Sequence, residues 1–414
     1  MQIAVIGGGA AGVSTAFFLA GTGHQVALLE RYGNVAQEIS SGNAGLMSSR
    51  NTVPWAAPGM PQKLLRLLFR PETPVSMRAR MQPSLWRWLR RWMAECEIDR
   101  FRINAARLQG LADYSSDLMR QLGEHYPFEY EKTTGLLQLF RSQEERRFAE
   151  PALEMLAASS VPHRLLEPEG ARCIEPSLAW HTPLNSALYL PEDEAGNCPL
   201  FIRQLRNAAQ EMGVSFHFDS RVDGIDSDGK GVALRVGEQR FHADAVVIAT
   251  GAGSIGMLRA LGVKPPFHPV KSYSATAFIR DFEHAPSASV LDETYKVNLS
   301  RLGSRVRLAG TVEIGFPAPE LRETALRTLV KVGEDWFPQA ANYNGATFWS
   351  GITPMLPDGG PLIGPTSLPH VYLNISGAHH GWAMAVGAGR LVSDMISGYA
   401  ADIDTSGLTL TRFA

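Results

Sequence analysis

Three glycines and one acid near the start of the chain carry the first chemical signal. Gly7, Gly9 and Gly12 have the spacing G-x-G-x-x-G, and Glu30 follows a second apolar run. Each suits a dinucleotide: Gly7 permits a tight turn, Gly9 lets the backbone approach a pyrophosphate, and Gly12 allows close helix–strand packing. The free N–H groups where the helix starts, around Ala10 and Ala11, suit phosphates, and Glu30 can accept from ribose hydroxyls. An acid rather than a base at position 30 argues against a 2′-phosphate. The spacing alone is a weak signal. Here a strand over Gln2–Ile6, a helix continuing through Val13–Leu19 and a strand over Gln25–Leu29 surround it, which is the context that gives it meaning.

The bounds suit an enzyme of ordinary size. At 414 residues the chain is too long for one core, so two domains are expected. A net charge of −2 gives no pull toward nucleic acid. Cys96, Cys173 and Cys198 are odd in number and lack metal-ligand spacing, so free thiols and no metal are expected. The start of the chain has no basic n-region with a cleavage site, and no apolar run reaches bilayer length. A cytoplasmic protein is the expectation.

Beyond the first unit, Ile39–Gly45 is a small polar loop that can lie close to a ligand. Prolines punctuate residues 54–83, and helices are expected near 85–95 and 99–122. A strand follows at 135–140, with helices at 151–159 and 199–212. Val214–Phe218 and Val232–Val236 alternate like paired strands around Asp228-Gly229, a hairpin signal. A buried strand then ends in Ala-Thr-Gly, at Thr250, Gly251 and Ala252, about two hundred residues after the first unit. Strands at 273–279, 296–299 and 306–309 and a helix at 320–332 come next, and Val371–Ile375 leads through Ser376–Gly381 into a last helix at 382–396. This order suits an α/β fold in which a Rossmann-like FAD-binding domain is interleaved with a strand-rich α+β substrate domain. The expected FAD-binding segments are 1–50, 145–262 and 350–414; the substrate domain takes 51–144 and 263–349. FAD fits better than NAD because the chain leaves after one unit and returns through Ala-Thr-Gly and a C-terminal glycine loop.

Several motifs occur in order: Ser41-Gly-Asn-Ala-Gly45, Pro54-Trp-Ala-Ala-Pro-Gly59, Leu291-Asp-Glu-Thr-Tyr-Lys296, Phe348-Trp349, Pro354-Met-Leu-Pro-Asp-Gly359, Gly381-Trp-Ala-Met384 and Gly387-Ala-Gly389. Together they resemble the D-amino acid dehydrogenase small subunit family, within the glycine oxidase and D-amino acid oxidase superfamily, over essentially the whole chain. The resemblance implies non-covalent FAD, oxidation of an amine carbon to an imine that water hydrolyses, and reoxidation by a quinone or another carrier more often than by oxygen. It also implies cofactor contacts at Arg31 beside Glu30, and along Ser41, Gly42, Asn43, Ala44 and Gly45. Further contacts are implied at Val222, at Gly377 and Gly381, and at Trp382 and Met384. Tyr295 resembles a pocket residue, although a half-buried strand tyrosine is an equal reading.

The chain departs from the family pattern at three places. Relatives have Gly-Leu-Arg-Pro where this chain has Gly351-Ile-Thr-Pro354, so Thr353 replaces the arginine that clamps a carboxylate. A hydroxyl can hydrogen-bond but cannot form a bidentate charged pair. Relatives carry Gly-His-Gly where Ser376-Gly-Ala378 stands, followed by His379 and His380. Ser-Pro-Gly-Tyr is replaced by Ser48-Ser-Arg-Asn51, which makes Arg50 new. Either Arg50 clamps the carboxylate from another wall, or the substrate lacks a free α-carboxylate and Arg50 is a surface residue. His379 and His380 either work at the flavin or only pack its loop.

Over residues 63–91, Lys63, Arg66, Arg70, Arg78, Arg80, Arg87, Arg90 and Arg91 face a single acid, Glu72. Leu85, Trp86, Leu89, Trp92 and Met93 are expected on one helical face with the arginines opposite. That stretch suits either peripheral contact with the inner face of an anionic membrane or a core-packed helix with a solvated basic side. The leading expectation is an FAD-dependent dehydrogenase acting on the C–N bond of a D-amino acid or related amine. An oxygen-using oxidase with an altered substrate and a flavin-bearing subunit of a larger assembly are the alternatives.

Overall fold

A computed structural model describes residues 1–50, 52–67, 72–77, 82–158, 161–315, 320–377 and 379–413. Strand Gln2–Ile6 lies inside a six-stranded sheet, flanked in parallel by Gln25–Leu29 and Ala245–Ile248. Val371–Ile375 joins beyond Ala245–Ile248 in parallel, and Leu362–Pro365 closes that edge antiparallel. Ser215–His217 forms the other edge, parallel to Gln25–Leu29. Both faces of the central strands are covered, which is why they read as continuous apolar runs rather than alternating ones.

Helix Ala10–Gly21 and the C-terminal helix Gly381–Ser397 pack on one face, and glycine lets them meet. A Cβ at Gly389 would lie 2.8 Å from Ser14 and Thr15, and one at Gly387 3.1 Å from Ser115 of helix Ile98–His125. The Gly-Ala-Gly motif is therefore a helix-packing device. The side-chain amide of Asn374 bonds the Thr15 hydroxyl at 2.9 Å and ties the last parallel strand to the first helix.

The second sheet has ten strands. Its main path runs Thr347–Met355, His268–Phe278, Arg305–Ile314, Val297–Leu302, Ser289–Asp292, Thr133–Phe140, Ser186–Ala195 and Leu46–Met47. Helix Glu323–Trp336 covers one face and shares a core with it through Leu329, Val332 and Trp336. Strand Ser186–Ala195 pairs with Thr133–Phe140 in this sheet, although the segment 145–262 was expected on the nucleotide side.

Two local expectations need correction. Asp228-Gly229 does turn a hairpin, but the partner of Val232–Val236 is Gly224–Ser227. Val214–Phe218 instead supplies the edge strand beside Gln25–Leu29, a non-local pairing that local alternation cannot reveal. In helix Pro83–Glu95 the buried residues are Leu85, Trp88, Leu89 and Trp92, whereas Trp86 and Met93 are exposed alongside Arg87, Arg90 and Arg91. Trp88 shares the buried face of Leu85, Leu89 and Trp92, and there its indole N–H bonds the Met355 carbonyl at 3.0 Å. Arg70, Arg78 and Arg80 lie outside the described residues.

Candidate active site

One cavity of about 830 Å³ lies where the two sheets and the C-terminal helix converge. At its nucleotide end the turn after Gln2–Ile6 is built as the glycine spacing requires. Gly7 has φ +110°, and a Cβ there would lie 2.6 Å from the Ala249 carbonyl oxygen. A Cβ at Gly12 would lie 1.9 Å from the Gly7 carbonyl oxygen, so this residue closes the helix onto the turn. Gly9 is different. Its φ is −79°, and the nearest group to an added Cβ is the Ser40 hydroxyl at 3.5 Å, on the cavity wall.

Helix Ala10–Gly21 begins there with no side-chain cap and no acid in its first turn. The Ala10 N–H makes one long contact, 3.4 Å, to the Ser40 hydroxyl, and the otherwise uncapped end suits an anion. Glu30 closes the same end: Gly8 N–H donates to one carboxylate oxygen at 2.5 Å and Tyr32 N–H to the other at 3.0 Å. Burial raises its pKa, and those two N–H groups work against that rise. Arg31 lines the cavity and pairs with Glu38.

The loop 41–45 is held from behind by a half-buried cation. Arg307 donates to the carbonyls of Ser41 at 2.8 Å and Asn43 at 3.2 Å and to the Thr276 hydroxyl at 3.1 Å. Asn298 donates to the Ala44 carbonyl at 3.2 Å. Gly42 and Gly351 share a reason for being glycine: the Trp349 ring lies over both, within 2.0 and 2.1 Å of where a Cβ would stand.

The structure brings together Gly7, Gly9, Ala10, Ala11, Glu30, Arg31, Gly42, Asn43 and Ala44 on the cavity wall, and with them Thr250, Gly251, Ala252, Gly381 and Trp382. Arg50, Thr353, His379 and His380 line it as well. Seven other sequence candidates do not. Gly12 closes the turn, and Ser41 turns its carbonyl to Arg307. Gly45 and Gly377 pack against the Gly196 and Gly360 carbonyls, at 2.9 and 1.9 Å from an added Cβ. Val222 and Met384 are core residues. Tyr295 packs at the opposite side of its turn, with the Arg141 guanidinium 5.1 Å from its ring centre. Asn51 and Ala378 lie outside the described residues.

At the substrate end, Thr353 is buried on strand Thr347–Met355, opposite Val270. His379 sets its ring 5.4 Å from that of Trp55, edge to face. His379 is exposed and His380 half-buried at the cavity wall, and desolvation lowers the pKa of each. Both are neutral at physiological pH. Arg50 is engaged on its far side by Glu192 at 2.8 Å and Asp193 at 3.4 Å. Burial lifts Asp193 to about 6, against the opposing pull of Ser48 and Arg50, so at neutral pH it is mostly ionised.

Sequence reasoning missed several wall residues. Trp55, Trp349, Glu293 and Lys296 all line the cavity, and each stands in a motif quoted above. The signal was in hand, but the motif does not say which member turns inward.

Comparison with known proteins follows the same lines. Residues 2–395 match the family described as FAD dependent oxidoreductase. A D-amino acid dehydrogenase of Granulibacter bethesdensis is 38% identical over 417 residues, covering 100% of both chains. One from Vibrio vulnificus is 37% identical over 417 residues, again covering 100% of both. Among solved structures, glycine oxidase from Geobacillus kaustophilus superposes with a TM-score of 0.77 at 21% identity, covering 99% of each chain. L-proline dehydrogenase from P. horikoshii gives 0.73 at 20% identity, covering 100% of this chain and 97% of that one.

Proposed function

The chain belongs to the FAD-dependent oxidoreductase family, and we propose that within it the protein oxidises the C–N bond of a D-amino acid or closely related amine. FAD is its cofactor, and the residues present fit it. The observation that carries the reading is the junction of two sites in one cavity: a helix start and Gly9 open toward a pyrophosphate, and a substrate end walled by Thr353, Trp55 and His379. Ala10, Ala11 and Glu30 would hold the nucleotide half, and the loop 42–44 with Gly381 and Trp382 would hold the flavin half. When bound, FAD supplies the acceptor for a hydride from the substrate carbon. The protein's own work is to orient the amine and keep water out. Trp349 and Trp55 supply apolar walls, and the neutral His379 and His380 leave an incoming amine free of a repelling charge.

The names of the full-length relatives support a dehydrogenase reading, in which electrons pass to a quinone or similar carrier. Turnover of the purified protein with a D-amino acid panel is expected to be at least about tenfold faster with a soluble quinone than with air as acceptor, a difference of about 1.4 kcal/mol in barrier. Peroxide released stoichiometrically at equal rates would move the assignment to an oxygen-using oxidase.

The domain division 1–50, 145–262 and 350–414 against 51–144 and 263–349 is part of the same proposal, with strand Ser186–Ala195 reassigned to the substrate side. Limited proteolysis with and without FAD tests it, since protection confined to 51–144 and 263–349 would oppose it. No described helix is long and apolar enough to cross a membrane. The exposed Trp86 and Met93 among Arg87, Arg90 and Arg91 support peripheral contact with an anionic bilayer, where a quinone would be reached from the cytoplasmic side. Binding to anionic vesicles that survives Trp86→Ala with Arg90→Ala would exclude this face.

A further inference from the structure

Loss of the arginine at position 353 leaves open which group would hold a substrate carboxylate. Apart from Arg31, which pairs with Glu38 at the nucleotide end, Arg50 and Lys296 are the described cations on the cavity wall, and their charge balance differs. Arg50 has two carboxylates on one guanidinium, Glu192 and Asp193, and neither of them lines the cavity. Its charge is already consumed from behind. Around Glu293 the ratio is reversed. Lys296 pairs with one oxygen of this fully buried carboxylate, and the Lys63 ammonium lies 3.6 Å from the same oxygen. The other oxygen accepts from the Gln138 amide at 2.7 Å.

Burial would raise the pKa of Glu293, but Lys296 and then Lys63 outweigh it and hold the group below its usual value. Lys63 makes no hydrogen bond through its ammonium among the described residues and sits 4.5 Å from the centre of the Phe148 ring. Glu145 adds a more distant negative charge. It accepts from the Thr294 hydroxyl at 2.6 Å and from the backbone N–H of Arg141 at 2.8 Å, and it does not line the cavity. Two lysines thus face the one carboxylate of Glu293, and of the two it is Lys296 that lines the cavity.

The backbone fixes that lysine in place. Lys296 has φ +49°, a left-handed conformation uncommon for a side-chain-bearing residue. The turn is held by the Tyr295 N–H on Asp292 at 3.0 Å and by the absence of a side chain at Gly310, where a Cβ would lie 2.2 Å from the Lys296 carbonyl oxygen. With that geometry Lys296 lines the cavity, whereas Tyr295 does not line it and packs, half-buried, against the core of the second sheet. Lys296 and His380 line the same cavity.

We infer that Lys296, backed by Lys63 and oriented by Glu293, is the specificity-determining cation that receives the substrate carboxylate in place of the missing arginine. The inference rests on the proposed oxidation of an amino acid, so its test is a binding measurement that needs no turnover. The FAD-loaded protein is titrated with anthranilate and with its uncharged amide, anthranilamide, and the perturbation of the flavin band gives each Kd. The wild type is expected to prefer anthranilate by at least about tenfold. Lys296→Met is expected to erase that preference while moving the amide's Kd less than about twofold, Lys296→Arg to restore it, and Lys63→Met to weaken it about threefold. Arg50→Met is expected to keep it.

A wild type without preference, a Lys296→Met protein that retains it, or an Arg50→Met protein that loses it overturns the inference. Should Lys296→Met fail to load FAD, the Lys63→Met and Arg50→Met titrations decide, since only the first is expected to lower the preference. If no amine or amino acid reduces the flavin, the functional reading fails separately, and the titration still reports on Lys296.

Discussion

Gly9→Val is expected to give a folded protein that no longer retains FAD, with affinity reduced at least about 100-fold, or about 3 kcal/mol. The three glycines of the turn are not equivalent in this respect. A side chain at Gly12 would run into the Gly7 carbonyl at 1.9 Å, and one at Gly7 would have to adopt φ +110° against Ala249. Substitution at either would damage the turn whether or not a nucleotide binds. At Gly9 the backbone has φ −79° and the nearest group is 3.5 Å away, so a side chain is tolerated by the protein and excluded by the pyrophosphate. Far-ultraviolet circular dichroism together with cofactor content after gel filtration checks this. A Gly9→Val protein that emerges yellow with full FAD content would show that the phosphates lie elsewhere.

Thr353→Arg is expected to raise kcat/KM for D-alanine about 10- to 100-fold over the wild type. A charge-assisted carboxylate pair in a closed site contributes on the order of 2–5 kcal/mol, more than one hydroxyl supplies. Thr353 is buried at the cavity wall in a register set by its pairing with Val270. Lysine is a point charge rather than a planar fork, so a carboxylate held by Lys296 is gripped less firmly than by an arginine. Small D-amino acids, which have little else to hold, should therefore be weak substrates of the wild type. Steady-state rates with D-alanine and with the best substrate found, for both proteins, decide it. An unchanged or lower kcat/KM for D-alanine would mean that position 353 does not face the carboxylate.

The nucleotide end was legible because its signals are local. Glycine spacing, a short β-branched strand and an acid after the second strand each act within thirty residues, and the structure assembles them as read. The substrate end was less legible, because neighbours in sequence point opposite ways there. Tyr295 is the member of its motif that resembles a pocket residue, yet with the left-handed backbone at Lys296 it is the lysine that lines the cavity, and the tyrosine lies beside Arg141. The same limit explains Trp86 and Trp88. Both are apolar and two positions apart, and Trp88 shares the buried face of Leu85, Leu89 and Trp92, where its ring meets Trp92 and His268 and its indole bonds Met355, 267 residues away in sequence. Arg50 was seen as a new cation at the wall, but the two acids behind it come from strand Ser186–Ala195, whose pairing is non-local.

The most direct test of the central claim is anaerobic mixing of the FAD-loaded wild type with paired D- and L-amino acids and their decarboxylated amines, read at the flavin band. The expected result is full bleaching by D-amino acids within the turnover time, with one equivalent each of 2-oxo acid and ammonia per flavin, and slower bleaching by the amines. A flavin that stays oxidised with every member of the panel, yet is reduced by dithionite, would contradict C–N oxidation as the function of this protein.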